Sequence, residues 1–265
     1  MKSTIRKVSV LLQALARTGR PATLSELSSA LGLPKPTARR LLVQLMDEGL
    51  VDQNPDDRTY KLGMQLITLA SAVLEGVEVR KFGTDILYGV MEDTGESAYL
   101  AVLDRGHSVY VDSVECDRSI RVLTKVGSRR PAELTASGRV LLAYASEDER
   151  QLHFVDALRV DGRPSSVNPV RLERLMTEVR ASGFAASTDE AEAGTTGVAA
   201  PVFAGGKCVA ALAIGMPTFR YVAGPPEVIH TKVIAGAERL TQRLSTREAP
   251  DPVMFDWNDG RQQRV

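Results

Sequence analysis

Residues 35–44 concentrate side chains able to read a nucleic acid. Taken as a helix, this stretch divides by face. Ala38, Leu41, Leu42 and Leu45 share the spacing of a buried stripe, while Thr37, Arg39, Arg40, Val43 and Gln44 occupy the rest of the cylinder. Arginine and glutamine can make paired hydrogen bonds to base edges, and a short threonine reaches a base or a phosphate. Lys35 at the helix start and Arg58 in a downstream turn are placed to neutralise phosphates; Arg6 and Lys7 are placed to contact the backbone or a minor groove. Any one of these arginines alone reads as a solvated helix face. What points to DNA is their combination with the elements around them.

No comparable constellation exists for catalysis or metal binding. Cys116 and Cys208 stand in unrelated contexts, with no CxxC and no Cys/His cluster. His107, His153 and His230 are scattered and read as surface or partly buried residues. Ser137 has no histidine placed near it, and neither a GxSxG nor a phosphate-binding glycine loop occurs, so a hydrolase reading finds no catalytic residues. Neither a cofactor nor a metal is expected.

The elements that must position the basic helix are legible around it. Residues 4–17 repeat Ile5, Val8, Leu11, Leu12 and Leu15 on one face before Gly19. Residues 24–31 form a second helix, opened by Thr23-x-x-Glu26, a capping-box pattern in which each side chain satisfies a free backbone N–H, and closed by Gly32. After Leu33-Pro34 the third helix runs over 36–48, with Pro36 tolerated in its first turn. A strand opening at Leu50-Val51, a turn cluster at Asn54-Pro55-Asp56-Asp57 and a return over Thr59–Leu62 make a two-stranded wing. Three helices and a ribbon in about 60 residues is the winged helix-turn-helix pattern, whose third helix enters the major groove.

Charge agrees. Lys+Arg and Asp+Glu are 33 each, so the chain is neutral overall. Residues 1–62 nevertheless hold ten basic side chains against six acidic ones. A basic end on a neutral chain fits nucleic-acid contact at that end. The N-terminal apolar stretch is interrupted by Gln13 and Arg17 and has no cleavage site, and no run approaches the ~20 apolar residues of a membrane span. A cytoplasmic location, with no membrane partner, is the expectation.

Residues 64–78 carry an apolar stripe of Leu66, Leu69, Ala70, Val73, Leu74 and Val77. This is read as a connector that buries its stripe against a second subunit; packing on its own chain satisfies the periodicity equally well. Beyond it the two periods mix. Helices are expected over 79–93, 137–144, 148–154, 169–182 and 225–245. Strands are expected over 97–103 and 108–114 around the turn Asp104-Arg105-Gly106-His107, over 120–123, and over 198–203 and 208–215 around Gly205-Gly206. Hairpins with helices between them give an α+β two-domain chain, the second domain built on a largely antiparallel sheet. The expected organisation is a DNA-binding unit over 1–62, a linker and dimerisation helix over 63–78, an effector-binding domain over 79–245 and a disordered tail over 246–265.

These segments resemble the IclR family of bacterial regulators. SELSSALGLPKPTARRLLVQLMDEGLV (25–51), YKLG (60–63), GRVLLAY (138–144) and GFAASTDEAEAGTTGVAAPVF (183–203) carry the resemblance, which covers about residues 4–245. It implies a winged helix, a linker helix and an effector domain similar to GAF and PAS sensors. It further implies a homodimer or dimer of dimers on palindromic operator DNA, and a regulator, typically a repressor of a catabolic operon, tuned by a small organic acid. Matching segment to segment places Ala136 and Ser137 at a helix N-terminus, Ser187 beside the acidic turn, and Gly197, Ala213 and Gly215 on the strands around the implied effector cavity. A helix N-terminus suits a carboxylate. Members that bind very small keto acids place Ser or Cys where Gly197, Ala213 and Gly215 stand, so a larger, less polar effector is expected, such as an aromatic or cyclic acid. The alternative for the glycines is tight backbone packing or a bulge. Asp189, Glu190 and Glu192 read as a solvated turn. Thr195 and Thr196 divide evenly between donors to a ligand and solvent-facing hydroxyls, and Arg121 between ligand and solvent. The remaining rival is a DNA-binding protein whose C-terminal domain serves only assembly.

Overall fold

A computed structural model of the chain describes residues 4–151 and 168–246. The chain divides into two compact units, one ending at Gly76 and the other beginning at Val77.

The first unit holds three helices, α1 (Thr4–Thr18), α2 (Leu24–Leu31) and α3 (Lys35–Asp47), then an antiparallel ribbon of β1 (Val51–Gln53) and β2 (Tyr60–Leu62), and α4 (Gln65–Glu75). Its core is Leu11 and Leu15 from α1, Leu27 from α2, Leu42 and Leu45 from α3, and Val51 and Tyr60 from the ribbon. Ala22 and Tyr60 exchange backbone hydrogen bonds and tie the α1–α2 turn to the wing. At the start of α2 the capping box is complete: the Glu26 N–H donates to the Thr23 hydroxyl at 3.3 Å, and the Thr23 N–H donates to the Glu26 carboxylate at 2.7 Å. The Arg20 guanidinium at 2.6 Å, joined by the Thr23 hydrogen bonds, holds the Glu26 carboxyl down to about 2. A carboxylate held below its ordinary value helps the fold above that value, and the help fades as pH falls toward 2. The helix α4 has no buried residue within the chain; Ile67, Leu69 and Val73 are more than half exposed.

The second unit is built on a six-stranded, wholly antiparallel sheet. Its strands are β3 (Ser97–Asp104), β4 (His107–Val114), β5 (Arg129–Pro131), β6 (Ala185–Thr188), β7 (Thr195–Ala204) and β8 (Lys207–Pro217), in the order β5-β4-β3-β8-β7-β6. The turns of the two long hairpins follow from residue type. Arg105 and Gly106 both have positive φ, as do Gly205 and Gly206, the geometry of a two-residue hairpin loop. Both faces of β3 are buried from Ser97 to Ala101. Leu100 and Leu212 meet α5 (Glu78–Thr94) and the C-terminal helix on one face, while Tyr99, Ala101 and Ala213 face α6 (Ala136–Tyr144) on the other. Helix α7 (Pro169–Ser182) covers α6 through Leu172, Met176 and Val179. A short helix α8 (Thr218–Ala223) and a long α9 (Pro226–Ser245) complete the described chain.

One expectation is corrected. Residues 120–123 form no strand. The edge of β4 is taken by β5, and the segment instead crosses the sheet, with the Val122 carbonyl accepting from the Tyr99 hydroxyl at 2.6 Å and the Ile120 carbonyl from Arg220 at 2.8 Å. β5 and α8 were not expected. Of the helix expected over 148–154, residues up to 151 are helical and the rest lie outside the described residues, as does the tail beyond 246.

Removing the α2 cap tests the first unit. Thr23→Ala should lower its stability by about 1 kcal/mol, read as an earlier melting transition by circular dichroism.

Candidate functional site

Two sites emerge, one in each unit. On α3, Ala38, Leu41, Leu42 and Leu45 are buried, which fixes the rotation of the helix about its axis. Lys35, Arg39, Arg40 and Gln44 are therefore exposed, with Val43 between them, and Thr37 is half-buried. Lys35, Arg39, Arg40 and Val43 border one shallow open groove with Leu24 and Pro36. Lys35, Arg39 and Arg40 make no ion pair or side-chain hydrogen bond among the described residues, in contrast to Arg20. Arg58 sits exposed at the wing tip with φ of 59°, in a turn held by Asn54 and Asp57: the Asp56 N–H donates to Asn54 and the Thr59 N–H to Asp57. Arg6 is exposed on α1. The unit thus presents a cationic helix face and, at the wing tip, an exposed arginine beside Asp56 and Asp57.

In the second unit a cavity lies between α6 and its sheet face. It opens to solvent at its mouth and narrows between the helix and the strands. Ala136, Ser137, Ser187, Gly197, Ala213 and Gly215 all border it. The wall also contains residues that sequence reasoning missed, chiefly Tyr99, Tyr110, Val122 and Arg130.

The head of α6 is positioned by close backbone approach. A Cβ on Gly138 would stand 2.2 Å from the Ala132 carbonyl oxygen, so only glycine lets the helix begin there. The Thr135 hydroxyl caps the helix by accepting from the Gly138 N–H at 3.0 Å. Among the described residues the N–H groups of Ala136 and Ser137 keep no partner, and they border the cavity. The Ser137 hydroxyl shares a 2.8 Å hydrogen bond with Ser108 and lies 3.4 Å from the Tyr110 hydroxyl. Ser187 donates to the Leu134 carbonyl at 2.7 Å, so its hydroxyl fastens β6 to the turn before α6.

Tyr99 and Tyr110 pack edge to face with centroids 5.7 Å apart and form an aromatic floor. Burial pushes the Tyr99 phenol up to about 12, so it stays a donor at physiological pH and holds the crossing segment through Val122. Gly215 does not enlarge the cavity. The volume a Cβ would take is already filled by Val122 at 3.0 Å and Tyr99 at 3.2 Å. At Gly197 a Cβ would make an ordinary 3.5 Å contact with that of Ala136.

The acidic turn is not simply solvated. Asp189, at positive φ, accepts from the Gly194 N–H at 2.7 Å and from Thr218 at 2.9 Å. Glu190 accepts from the buried Arg139 at 2.5 Å and from Arg171 at 3.1 Å. Glu192 pairs with Arg130 at 3.1 Å. Thr195 and Thr196 border the cavity, but their hydroxyls already bind the Glu192 carbonyl and Thr218. Arg121 turns to Glu115 and the Arg118 carbonyl instead of the cavity. Of the histidines, His107 binds the Arg105 carbonyl and His230 the Tyr221 hydroxyl, while His153 lies outside the described residues. No cluster of metal-ligating side chains and no helix long and apolar enough to cross a membrane occurs among the described residues.

Comparison with known proteins follows the same division. Residues 4–55 match the IclR helix-turn-helix domain, and residues 71–242 match the bacterial transcriptional regulator IclR C-terminal domain. The HTH-type transcriptional regulator KdgR of Escherichia coli is 30% identical over 94% of this chain and 95% of its own. The regulator XynR of the same organism is 30% identical over 82% of this chain and 88% of its own. Among solved structures, an IclR homologue from Microbacterium hydrocarbonoxydans, complexed with 4-hydroxybenzoate, superposes with a TM-score of 0.74 at 24% identity, covering 91% of this chain and 99% of its own; at that identity it speaks for the fold.

The glycine at the head of α6 gives a direct test. Gly138→Ala should destabilise the second unit by about 1–3 kcal/mol through overpacking against backbone, measured by chemical denaturation of the full chain.

Proposed function

Since the chain belongs to the IclR family of bacterial transcriptional regulators, we propose that α3 reads its operator through Arg39, Arg40 and Gln44, with Thr37 at the groove edge. Lys35, Arg58 and Arg6 neutralise phosphates. The observation that carries this reading is the cluster of unpaired cations on the one face of α3 that its core stripe leaves outward. Cations held without protein partners keep their full charge for a polyanion, and phosphate contacts then set register while base contacts set sequence.

The operator is palindromic in this reading, because the protein acts as a homodimer. The exposed side of α4 supports it: Leu69 and Val73, one turn apart, are more than half exposed, and the helix has no buried residue. Dimers of dimers extend the same logic. The regulator works in the cytoplasm as a repressor of a catabolic operon.

The cavity of the second unit takes a small organic acid that modulates operator binding. The head of α6 and the Arg130 cation, both on the cavity wall, suit a carboxylate, and the Tyr99–Tyr110 floor suits a ring. Because Val122 and Tyr99 fill the space beside Gly215, the effector is a compact single-ring acid and not a bulky one.

Arg40→Ala should weaken binding to the specific operator by about 1–3 kcal/mol more than binding to random duplex, measured at one fixed salt concentration. Equal losses on both would reassign Arg40 to phosphate, and no loss would remove it from the interface. Val73→Asp should shift the protein from dimer toward monomer in analytical ultracentrifugation; an unchanged dimer would place the interface elsewhere.

A further inference from the structure

Arg130 and Glu192 are the one cation and the one anion among the described residues that border the cavity, and they are bonded to each other. We propose that the effector's carboxylate takes the place of Glu192 on Arg130. Arg130 then selects carboxylates over neutral analogues, and Glu192 is a built-in competitor that the ligand displaces. This rests on the reading of the cavity as an effector site.

The local structure leaves the pair free to exchange and little else free to move. On β5, Arg129 turns to Asp104, and Arg130 turns to the opposite side, where it meets a residue 62 positions further along the chain. The backbone of β5 is fixed by pairing with β4, where Arg130 stands opposite Ser108. The backbone of Glu192 is fixed as well, because its carbonyl accepts from both the Thr195 N–H at 3.2 Å and the Thr195 hydroxyl at 2.7 Å. The neighbouring acids are committed elsewhere, Asp189 to Thr218 and Glu190 to Arg139 and Arg171. The Glu192 carboxylate is held by Arg130 alone among the described residues.

The Arg130–Glu192 contact is a single nitrogen–oxygen approach of 3.1 Å between side chains 40% and 62% exposed. An exposed, singly bonded pair contributes little to stability, so its replacement by another carboxylate is close to balanced. A ligand carboxylate that reaches the guanidinium from inside the cavity is better shielded from water than Glu192, which tips the exchange toward the ligand. A neutral ligand gains nothing from Arg130 and leaves the pair intact. The competing account is that the pair merely staples the acidic turn to β5; breaking it from either side would then weaken acids and neutral analogues alike.

Isothermal titration calorimetry on the full-length protein distinguishes the two, using benzoate, 4-hydroxybenzoate and cyclohexanecarboxylate, each beside its own amide. Glu192→Gln should tighten the acids by about two- to fivefold and leave the amides unchanged. Arg130→Gln should weaken the acids by roughly tenfold or more with the amides again unchanged. Acids that bind the wild type but ignore Arg130→Gln overturn the proposal and leave the effector site standing, as do parallel losses for acid and amide in either variant. Failure of every acid to bind the wild type overturns the organic-acid reading and this proposal together. Melting curves of both variants confirm that the fold is retained.

Discussion

The close seat of α6 on its sheet is the constraint from which the second unit follows. From Ala136 to Ala143 every residue of this helix is buried, including Ser137 and Arg139. Its first turn comes so near the preceding turn that Gly138 faces the Ala132 backbone with no room for a side chain. Polar groups drawn into such a seat must find partners there, because burying them unpaired costs several times what a hydrogen bond contributes. Ser137 finds Ser108, and Thr135 closes onto Gly138. The cavity is what remains where the helix head meets the strands and its leading N–H groups find no protein acceptor.

Arg139 carries that constraint outward. Its guanidinium, only 3% exposed, donates to the Glu133 carbonyl, the Ala186 carbonyl and the Glu190 carboxylate, joining the turn before α6, β6 and the acidic turn. A charge buried to this degree is tolerated only with its acceptors in place, and loss of one leaves the others to compensate a full positive charge. The turn at 189–194 is therefore braced from within even though its composition looks like surface. Glu190 also receives Arg171 from α7, so the helix covering α6 is tied to the same point. Strand, turn and covering helix share one set of ionic contacts, and the cavity wall inherits their order.

Much of this was legible in the sequence, and the gaps have physical causes. The stripe of α3, the Thr23–Glu26 box and the two-residue loops at Arg105-Gly106 and Gly205-Gly206 each combine a period with a stop signal, and each element lies where that combination puts it. β5 spans three residues and α8 six, too few for any period to register. The crossing segment misled because Ile120, Val122 and Leu123 look like a strand. In fact Ile120 and Leu123 are exposed, while Val122 is half-buried and its carbonyl is held by Tyr99. Within the cavity, Ala136, Ser137, Ser187, Gly197, Ala213 and Gly215 were reached by matching segments. Tyr99, Tyr110 and Arg130 were not, because nothing local marks them; cross-strand register alone brings them to one wall.

Many cations of the second unit are paired, and those on α3 are not. In the second, Arg118, Arg121, Arg129, Arg130, Arg139, Arg171, Arg180, Arg220 and Arg243 each meet a carboxylate within 4 Å. In the first, Arg20 does so, while Lys35, Arg39 and Arg40 do not, although acidic residues are available in the same unit. Like charges set close on one helix repel, and repulsion at i,i+4 costs a few tenths of a kcal/mol per pair. A fold under selection for stability alone would relieve it with a nearby glutamate, as Glu26 relieves Arg20. Bare cations on α3 are mildly unfavourable in the free protein, a cost that the operator contact proposed above would offset by releasing counterions. Around Glu190 charge is neutralised within the chain by Arg139 and Arg171, whereas on α3 it is left open, as the proposed operator contact requires.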